Sequence, residues 1–365
     1  MSLAPHTPHP AAVSAFDPIT SLRAIIFVAG LLLAWITLSP FPDLSSSDML
    51  ELAGGREGLT YGAFGLLAIG GIALVAAGNL RALWLIATPG ALALIGWILI
   101  TIVISQDMGT SIRRFVLFAM VASIAASLFF LPTGRRNLAM LLAAACGILL
   151  GLSYLGVALM PSLAVHQATD ILEAQLAGDW RGVFGHKNTA GAVLALCFFM
   201  GIYIARSGLK AAGIAIAIGA GFFLLMSGAK SSTMLLVLTL AISGFVTLVR
   251  SPSLRFLAIV TPLITLFALG PGTLLDANLA AFVRALPVDV TFTGRTDVWE
   301  LAFDKIAERP WQGYGFGAFW SLESTRFGSE DNEAWAGAAA HAHNGYIDAA
   351  LNMGLIGLGL TLLVV

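Results

Sequence analysis

Residues 181–206 read RGVFGHKNTAGAVLALCFFMGIYIAR, and this stretch decides the class of protein to which the chain belongs. Four polar residues, Arg181, His186, Lys187 and Asn188, stand directly before an apolar run. The run is about as long as a helix needs to cross a bilayer. The stretch therefore predicts a membrane-spanning helix with a polar mouth at one face of the membrane.

The whole chain shares this composition. Of its 365 residues, 58% are hydrophobic and 11% are charged, whereas about a quarter of the residues of a soluble domain are charged. The mean hydropathy is +0.90. The net charge of −1 provides no basic patch for a nucleic-acid partner. We therefore expect an all-α integral membrane protein, because helices satisfy their own backbone groups in lipid.

Ten apolar runs have approximately the length of a membrane span. They lie near 22–40, 59–78, 82–104, 115–131, 138–160, 189–206, 209–226, 233–249, 256–275 and 345–365. We expect a disordered polar tail over 1–21, an N-terminal bundle of five spans over 22–160, and a motif-bearing domain over 161–365. Because the sequence ends in GLIGLGLTLLVV without a polar tail, we also expect further spans beyond it.

The connecting loops favour an orientation with the N-terminus inside the cell. The loops then assigned to the cytoplasm hold Arg81, Arg135, Arg136, Arg206, Lys210, Arg250 and Arg255, and no acid. Arg56, Arg113, Arg114 and Lys230 fall outside, together with the acids from Asp43 onward. This charge bias places both long loops, 161–188 and 276–344, on the outer face.

Polar residues form four clusters at outer mouths of the spans. They are RGVFGHKN (181–188), SGAKSSTM (227–234), TGRTDVWELAFDKIAERPWQGYGFGAFW (293–320) and HAHNGYID (341–348). In the first, Asn188 or Thr189 is a good N-cap, and a helix start beside Arg181 and Lys187 would attract a phosphate. Equally, the two cations could only anchor the span at the lipid headgroups.

The third cluster predicts an amphipathic helix over 296–308, with Thr296 as N-cap and Arg295 just before it. After this helix, three glycines alternate with aromatic residues, which predicts a bend with exposed rings. These residues are Gly313, Gly315, Gly317, Tyr314, Phe316 and Phe319. We favour an interfacial aromatic belt over a surface that stacks against sugars.

The fourth cluster contains His341 and His343, but no third ligand stands at a spacing that would complete a metal site. A histidine with a near-neutral pKa at a membrane mouth can act as a general base, and a lone histidine at a helix start is more often a cap. Cys146 and Cys197 lie within apolar runs, which indicates packing rather than a disulfide.

In this order, RGVFGHKN, SGAKSS, TGRTDVW…RPWQGYGFGAFW and HAHNGYIDAALNMGLIG resemble the O-antigen ligase and O-antigen polymerase family, over about residues 170–360. The GHKN stretch is most similar to the exopolysaccharide-polymerase branch. The resemblance implies a GT-C-like membrane glycosyltransferase with about twelve spans and a periplasmic helical loop subdomain over 276–344.

The resemblance also implies a multi-pass enzyme of the bacterial inner membrane whose active site faces the periplasm. Its donor would be an oligosaccharide linked to undecaprenyl diphosphate. The acceptor would be another carrier-linked glycan for a polymerase, or lipid A–core for a ligase. No cofactor and no metal are expected, and chain-length regulators or export proteins are candidate partners.

Residue by residue, Arg181 and Arg295 correspond to arginines that hold the diphosphate, and His343 to the histidine that activates the acceptor hydroxyl. Lys187 and His186 match only within the polymerase-like branch. The remaining candidates for substrate binding are Asn188, Lys230 and Asn344. Direct displacement would invert the anomeric carbon. The alternative of another class, a lipid-glycan transporter, is disfavoured because the spans are nearly free of charge.

Overall fold

The computed structural model describes residues 17–36, 38–45, 57–171, 173–274, 276–285, 295–322 and 341–364. In these ranges the regular structure is helical, joined by turns and one isolated bridge between Val165 and Trp180. The predicted all-α fold is confirmed.

The fold is carried by a series of long helices. They are α1 (Pro18–Trp35), α2 (Glu57–Ile86), α3 (Pro89–Val103), α4 (Met108–Leu128), α5 (Arg135–Leu159), α6 (Lys187–Arg206), α7 (Lys210–Met226), α8 (Lys230–Leu248), α9 (Pro252–Leu269), α10 (Arg295–Glu308) and α11 (Gly345–Val364). Between them lie two short helices, Pro161–Ala164 and Ala277–Arg284. Three 3₁₀ turns also lie between them, at Ala174–Leu176, Pro271–Leu274 and Phe319–Ser321.

Eight helices within the described ranges are long and apolar enough to cross a membrane. They are α1, the Gly58–Gly78 part of α2, α4, α5, α6, α8, α9 and α11. Two shorter apolar helices, α3 and α7, account for the other two predicted runs. The chain is therefore a multi-pass membrane protein.

Several predicted span boundaries differ from the helix ends, and helix caps explain two of the differences. Residues 18–21 belong to α1 rather than to a tail, because the Asp17 side chain accepts the backbone N–H groups of Ile19 and Thr20 ahead of Pro18. The third run starts late, since 82–86 end α2 and α3 begins only at Pro89. Its cap is Thr88.

Several cations assigned to loops also lie in helices. They are Arg81 in α2, Arg113 and Arg114 in α4, Arg135 and Arg136 in α5, Arg206 in α6, Lys210 in α7, Lys230 in α8 and Arg255 in α9. The hydropathy pattern placed the predicted helix ends short of most of these cations. A cation at the end of a span lowers the local hydropathy without ending the helix.

The described chain forms two compact units that alternate along the sequence. The first is Met1–Gly78 with Ser123–Ala229, and the second is Asn79–Ala122 with Lys230–Val365. This grouping differs from the division at residue 160 that we expected from the motifs, because helices distant in sequence pack together.

In the first unit, α5 packs against α1, α6 and α7. Helices α6 and α7 meet where Gly201 faces Ala217: a Cβ at Gly201 would lie 2.7 Å from the Ala217 nitrogen. Small residues that allow backbones to approach are typical of membrane helix pairs.

In the second unit, α11 packs against α3 and α10. The core between α10 and α11 is largely aromatic and includes Trp299, Tyr314, Phe319 and Trp320. Tyr314 is 2% exposed and Phe319 is fully buried, so the predicted bend with exposed aromatics was wrong. These rings are neither a belt nor a sugar-stacking surface, because they fill the space between the amphipathic α10 and the start of α11.

Candidate functional site

The RGVFGHKN loop of the first unit folds around Arg181. This side chain is fully buried, and its Nη1 and Nη2 donate to the carbonyl oxygens of Phe184 at 3.1 Å and Pro42 at 2.8 Å. Its Nε has no partner among the described residues. Burial lowers the pKa of Arg181 from its ordinary value, opposed by the carboxylates of Asp170 and Asp43. The guanidinium thus connects the RGVFGHKN loop to Pro42, in the segment that follows α1.

Helix α6 begins at Lys187, and its N-cap lies two residues before Asn188, the first of the expected caps. His186 is the N-cap, with extended backbone, and its Nδ1 accepts the N–H of Asn188 at 3.0 Å. Its Nε2 lies 2.7 Å from Glu173 Oε2. The prediction of Asn188 or Thr189 as N-cap was therefore wrong, because the imidazole does what a short polar side chain usually does at that position.

A second histidine, His166, supports the same helix start. Its Nε2 accepts the backbone N–H of Lys187 at 3.3 Å, and its Nδ1 lies 2.9 Å from Asp170 Oδ2. Since a backbone N–H can only donate, Nε2 is the acceptor and Nδ1 carries the proton. Burial lowers the pKa of His166, which keeps the ring neutral. Sequence reasoning missed this pair, although His and Asp four residues apart in a polar loop were visible.

The first and second clusters meet at Asp179. Its Oδ2 lies 2.6 Å from Lys187 Nζ, and a Cβ at Gly228 would lie 2.5 Å from its Oδ1. The Trp180 N–H also donates to the Met226 carbonyl oxygen at 3.1 Å. The SGAK turn therefore packs on the GHKN loop up to Ala229.

The polar side chains of the first mouth are mostly paired with each other. Lys187 pairs with Asp179, His186 with Glu173 and His166 with Asp170. Asn188 and Thr189 are exposed. Lys230 is exposed at the first residue of α8, in the second unit.

In the second unit, Asn344 caps α11 and fixes the histidine before it. Its Oδ1 accepts the N–H groups of Tyr346 at 3.0 Å and Ile347 at 3.4 Å. His343 is exposed and left-handed, with φ 53°, a conformation that costs energy for most residues and often marks functional sites. Its backbone N–H donates to His341 Nδ1 at 3.2 Å, and the two rings are 4.1 Å apart.

The turn that carries His343 is held from two sides through Ala342. The Ala342 N–H donates to Asp348 Oδ1 at 3.0 Å, which also accepts Trp320 Nε1 at 2.7 Å. Trp299 Nε1 donates to the Ala342 carbonyl oxygen at 2.8 Å. Sequence reasoning did not assign Asp348 this role, because its partners are distant in the chain.

Arg295 is the first residue of α10 rather than the residue before it, and the predicted helix over 296–308 is confirmed to within one residue. Four residues on, Trp299 contacts Ala342 beside His343. Trp299 lies about 6 Å along the helix axis from the first residue of α10. Its hydrogen bond therefore joins α10 to the turn of His343.

Helix α11 is broken at Gly354, where φ is 69° and ψ is −177°. The loop over 310–315 fills the break and pairs the freed backbone groups. The loop makes three of these pairs: Tyr314 N to Leu351 O (2.9 Å), Gly315 N to Asn352 O (3.0 Å) and Leu355 N to Pro310 O (2.7 Å). Trp97 Nε1 of α3 donates to the fourth group, Met353 O, at 2.8 Å. A Cβ at Gly354 would collide with the Trp311 carbonyl oxygen. Such pairing is what allows non-helical backbone at membrane depth.

Arg114, which was not singled out as a site residue, lies beside Gly317, just after this loop, and Arg113 is its neighbour in α4. A Cβ at Gly317 would lie 2.7 Å from Arg114 Cδ, and Arg114 is exposed. Arg113 Nη2 donates to Thr110 Oγ1 at 2.8 Å. Their position at the start of a span resembled that of ordinary lipid anchors.

The described residues contain no group of three or more His, Cys, Asp or Glu side chains that could hold a metal ion. Cys146 and Cys197 are buried and free, in agreement with the packing interpretation.

Comparison with known proteins finds a similarity to one family. Residues 195–362 match the family model described as O-antigen ligase. The match includes SGAKSS, TGRTDVW and HAHNGYID, and begins after GHKN. No curated protein matches the chain. This multi-pass membrane protein therefore carries, over somewhat less than half of its length, a region similar to the O-antigen ligase family.

Proposed function

We propose that the protein polymerises glycan repeats carried on undecaprenyl diphosphate, at the periplasmic face of the bacterial inner membrane. The observation that carries this proposal is the meeting of two motifs of the family domain in the second unit. Trp299, four residues after Arg295 in α10, donates to the carbonyl oxygen of Ala342, the residue before His343.

In the proposed reaction, the acceptor hydroxyl attacks the anomeric carbon and undecaprenyl diphosphate leaves. Arg295 pairs the diphosphate oxygens with its planar fork, where negative charge grows in the transition state. His343 accepts the hydroxyl proton, held in place by the Asn344 cap. No metal is required, and direct displacement inverts the anomeric carbon.

The first mouth supports a different role for its arginine. Arg181 is buried and bonded to two carbonyl oxygens, so direct contact with a diphosphate would require it to leave Pro42 and Phe184. We infer that Arg181, His186 and Lys187 shape the loop that exposes Asn188 to the substrate.

The ligase reaction is the second candidate, because the matching family model is described as O-antigen ligase. The donor and the departure of the carrier are the same, and only the acceptor differs. The GHKN stretch favours the polymerase.

The test uses purified protein in lipid with undecaprenyl-diphosphate-linked repeat units and no lipid A–core. A ladder of longer glycans, resolved on a gel, is the expected result. A product that forms only after lipid A–core is added would establish the ligase instead. No product with either acceptor, from protein that is folded, would contradict both.

A further inference from the structure

An apolar cavity of about 400 Å³ lies in the first unit. Its walls come from α1 (Phe27 and Leu31), the turn after α4 (Phe129), α5 (Leu138) and α6 (Met200). Phe129 is 85% exposed, so the cavity opens onto the outside of this unit. In a membrane, an opening lined by hydrocarbon side chains faces acyl chains rather than water.

The cavity is separate from the GHKN loop. Met200 stands thirteen residues after Lys187 in α6, about 20 Å further along the axis. The cavity therefore lies toward the end of the unit where α6 finishes and α5 begins, beside the middle of α1. None of the candidate catalytic or substrate-binding residues lines it.

Arginines surround this end. Arg23 precedes Phe27 by four residues and so lies on the same face of α1, and its buried Nε has no partner among the described residues. Arg135 and Arg136 directly follow Gly134, which lines the cavity, and both are exposed.

Arg135 is bonded to neutral groups, whereas Arg23 lies close to an acid: the pKa of the Asp17 carboxyl is lowered by its hydrogen bond from Thr20 and by the charge of Arg23. Arg135 Nη2 donates to the backbone carbonyl oxygen of Arg206 at 3.2 Å, and its Nε donates to Ser207 Oγ at 3.2 Å. Asp17 is an acid at the same end, and its Oδ2 accepts from Thr20 Oγ1 at 2.6 Å.

We propose that this end of the first unit binds an anionic diacyl phospholipid of the adjoining leaflet. One acyl chain occupies the cavity, and the phosphate lies between Arg23 and Arg136. Basic pockets between membrane helices recognise anionic headgroups in this way, and each nearby cation strengthens the attraction about fivefold. A zwitterionic phospholipid offers the same acyl chains, but its amine offsets the phosphate charge.

Native mass spectrometry of the purified full chain tests the proposal. The protein is loaded with equal amounts of phosphatidylglycerol and phosphatidylcholine of identical chains, and the retained lipids are counted. We expect phosphatidylglycerol to be retained about fivefold or more over phosphatidylcholine. Arg136→Gln should lower this preference about fivefold, and Leu138→Phe, which fills the cavity, should lower retention of both lipids.

The control is Arg250→Gln, which removes an exposed cation of the second unit and should change nothing. Arg23→Gln serves as a second charge variant. Equal retention of the two lipids would overturn the proposal, as would full retention in Leu138→Phe. Displacement of the lipid by inorganic phosphate alone would show an anion site without an acyl pocket, and would also overturn it. The readout does not depend on glycosyl transfer, so its failure would leave the proposed function intact.

Discussion

The two motif-bearing mouths use the same kinds of polar residues in opposite ways. In the first unit, Arg181 is buried against carbonyl oxygens, and Lys187 and His186 are paired with acids. In the second unit, His343 is exposed, left-handed and held by a cap and by the Ala342 contacts. The comparison teaches that polar residues at a membrane mouth can serve to build a loop or to present a reactive group.

The largest effect should follow removal of the proposed base. Asparagine tolerates the left-handed backbone but cannot accept a proton at neutral pH, so His343→Asn should lower turnover about 10²- to 10⁴-fold with an unchanged thermal midpoint. Turnover on carrier-linked repeats checks this. His341→Asn is the control and should lose less than tenfold, while normal turnover in His343→Asn would exclude it as the base.

A smaller loss should follow Arg295→Lys. Lysine keeps the charge but loses the fork that pairs two phosphate oxygens, so turnover should fall about 10²-fold. The matched control is Arg309→Lys at the other end of α10, which should retain most activity. Equal turnover of Arg295→Lys and the wild type would remove Arg295 from the diphosphate site.

In the first mouth we expect a loss of stability instead. In Arg181→Lys one of the two carbonyl oxygens, of Phe184 or Pro42, is left unpaired, which should lower the free energy of unfolding by about 1–3 kcal/mol. The thermal midpoint in detergent measures this. A variant as stable as the wild type would contradict the structural role.

The smallest effect concerns pH. Burial lowers the pKa of His166 in the folded protein, so its contribution to stability is full above the unfolded value of about 6.5. It is lost as the pH falls through the lower folded pKa. Thermal midpoints between pH 7.5 and 5 should therefore fall on acidification, and less steeply in His166→Gln. Parallel curves for the two proteins would refute this role.

Much of the fold could be predicted because lipid allows few solutions. Runs of spanning length had to be helices, and α10 showed its amphipathic period. The buried Tyr314 and Phe319 could not be predicted, because an aromatic belt and an aromatic plug share the same local sequence. The difference depends on the break at Gly354, some forty residues later.

The candidate site residues also fall into those that the sequence predicted and those that it could not predict. Short motifs in order indicated the family, and His343 and Arg295 came from that resemblance. The residues that support each mouth, His166 in the first unit and Asp348 in the second, depend on partners brought together only by packing, so no local spacing revealed them.

The most direct test of the account compares Arg181→Lys and Arg295→Lys in one experiment, as turnover per folded molecule on undecaprenyl-diphosphate-linked repeats, with thermal midpoints measured in parallel. The account predicts that Arg295→Lys is stable and about 10²-fold slower, whereas Arg181→Lys is less stable but turns over within a few-fold of the wild type. A stable, inactive Arg181→Lys together with an active Arg295→Lys would contradict it.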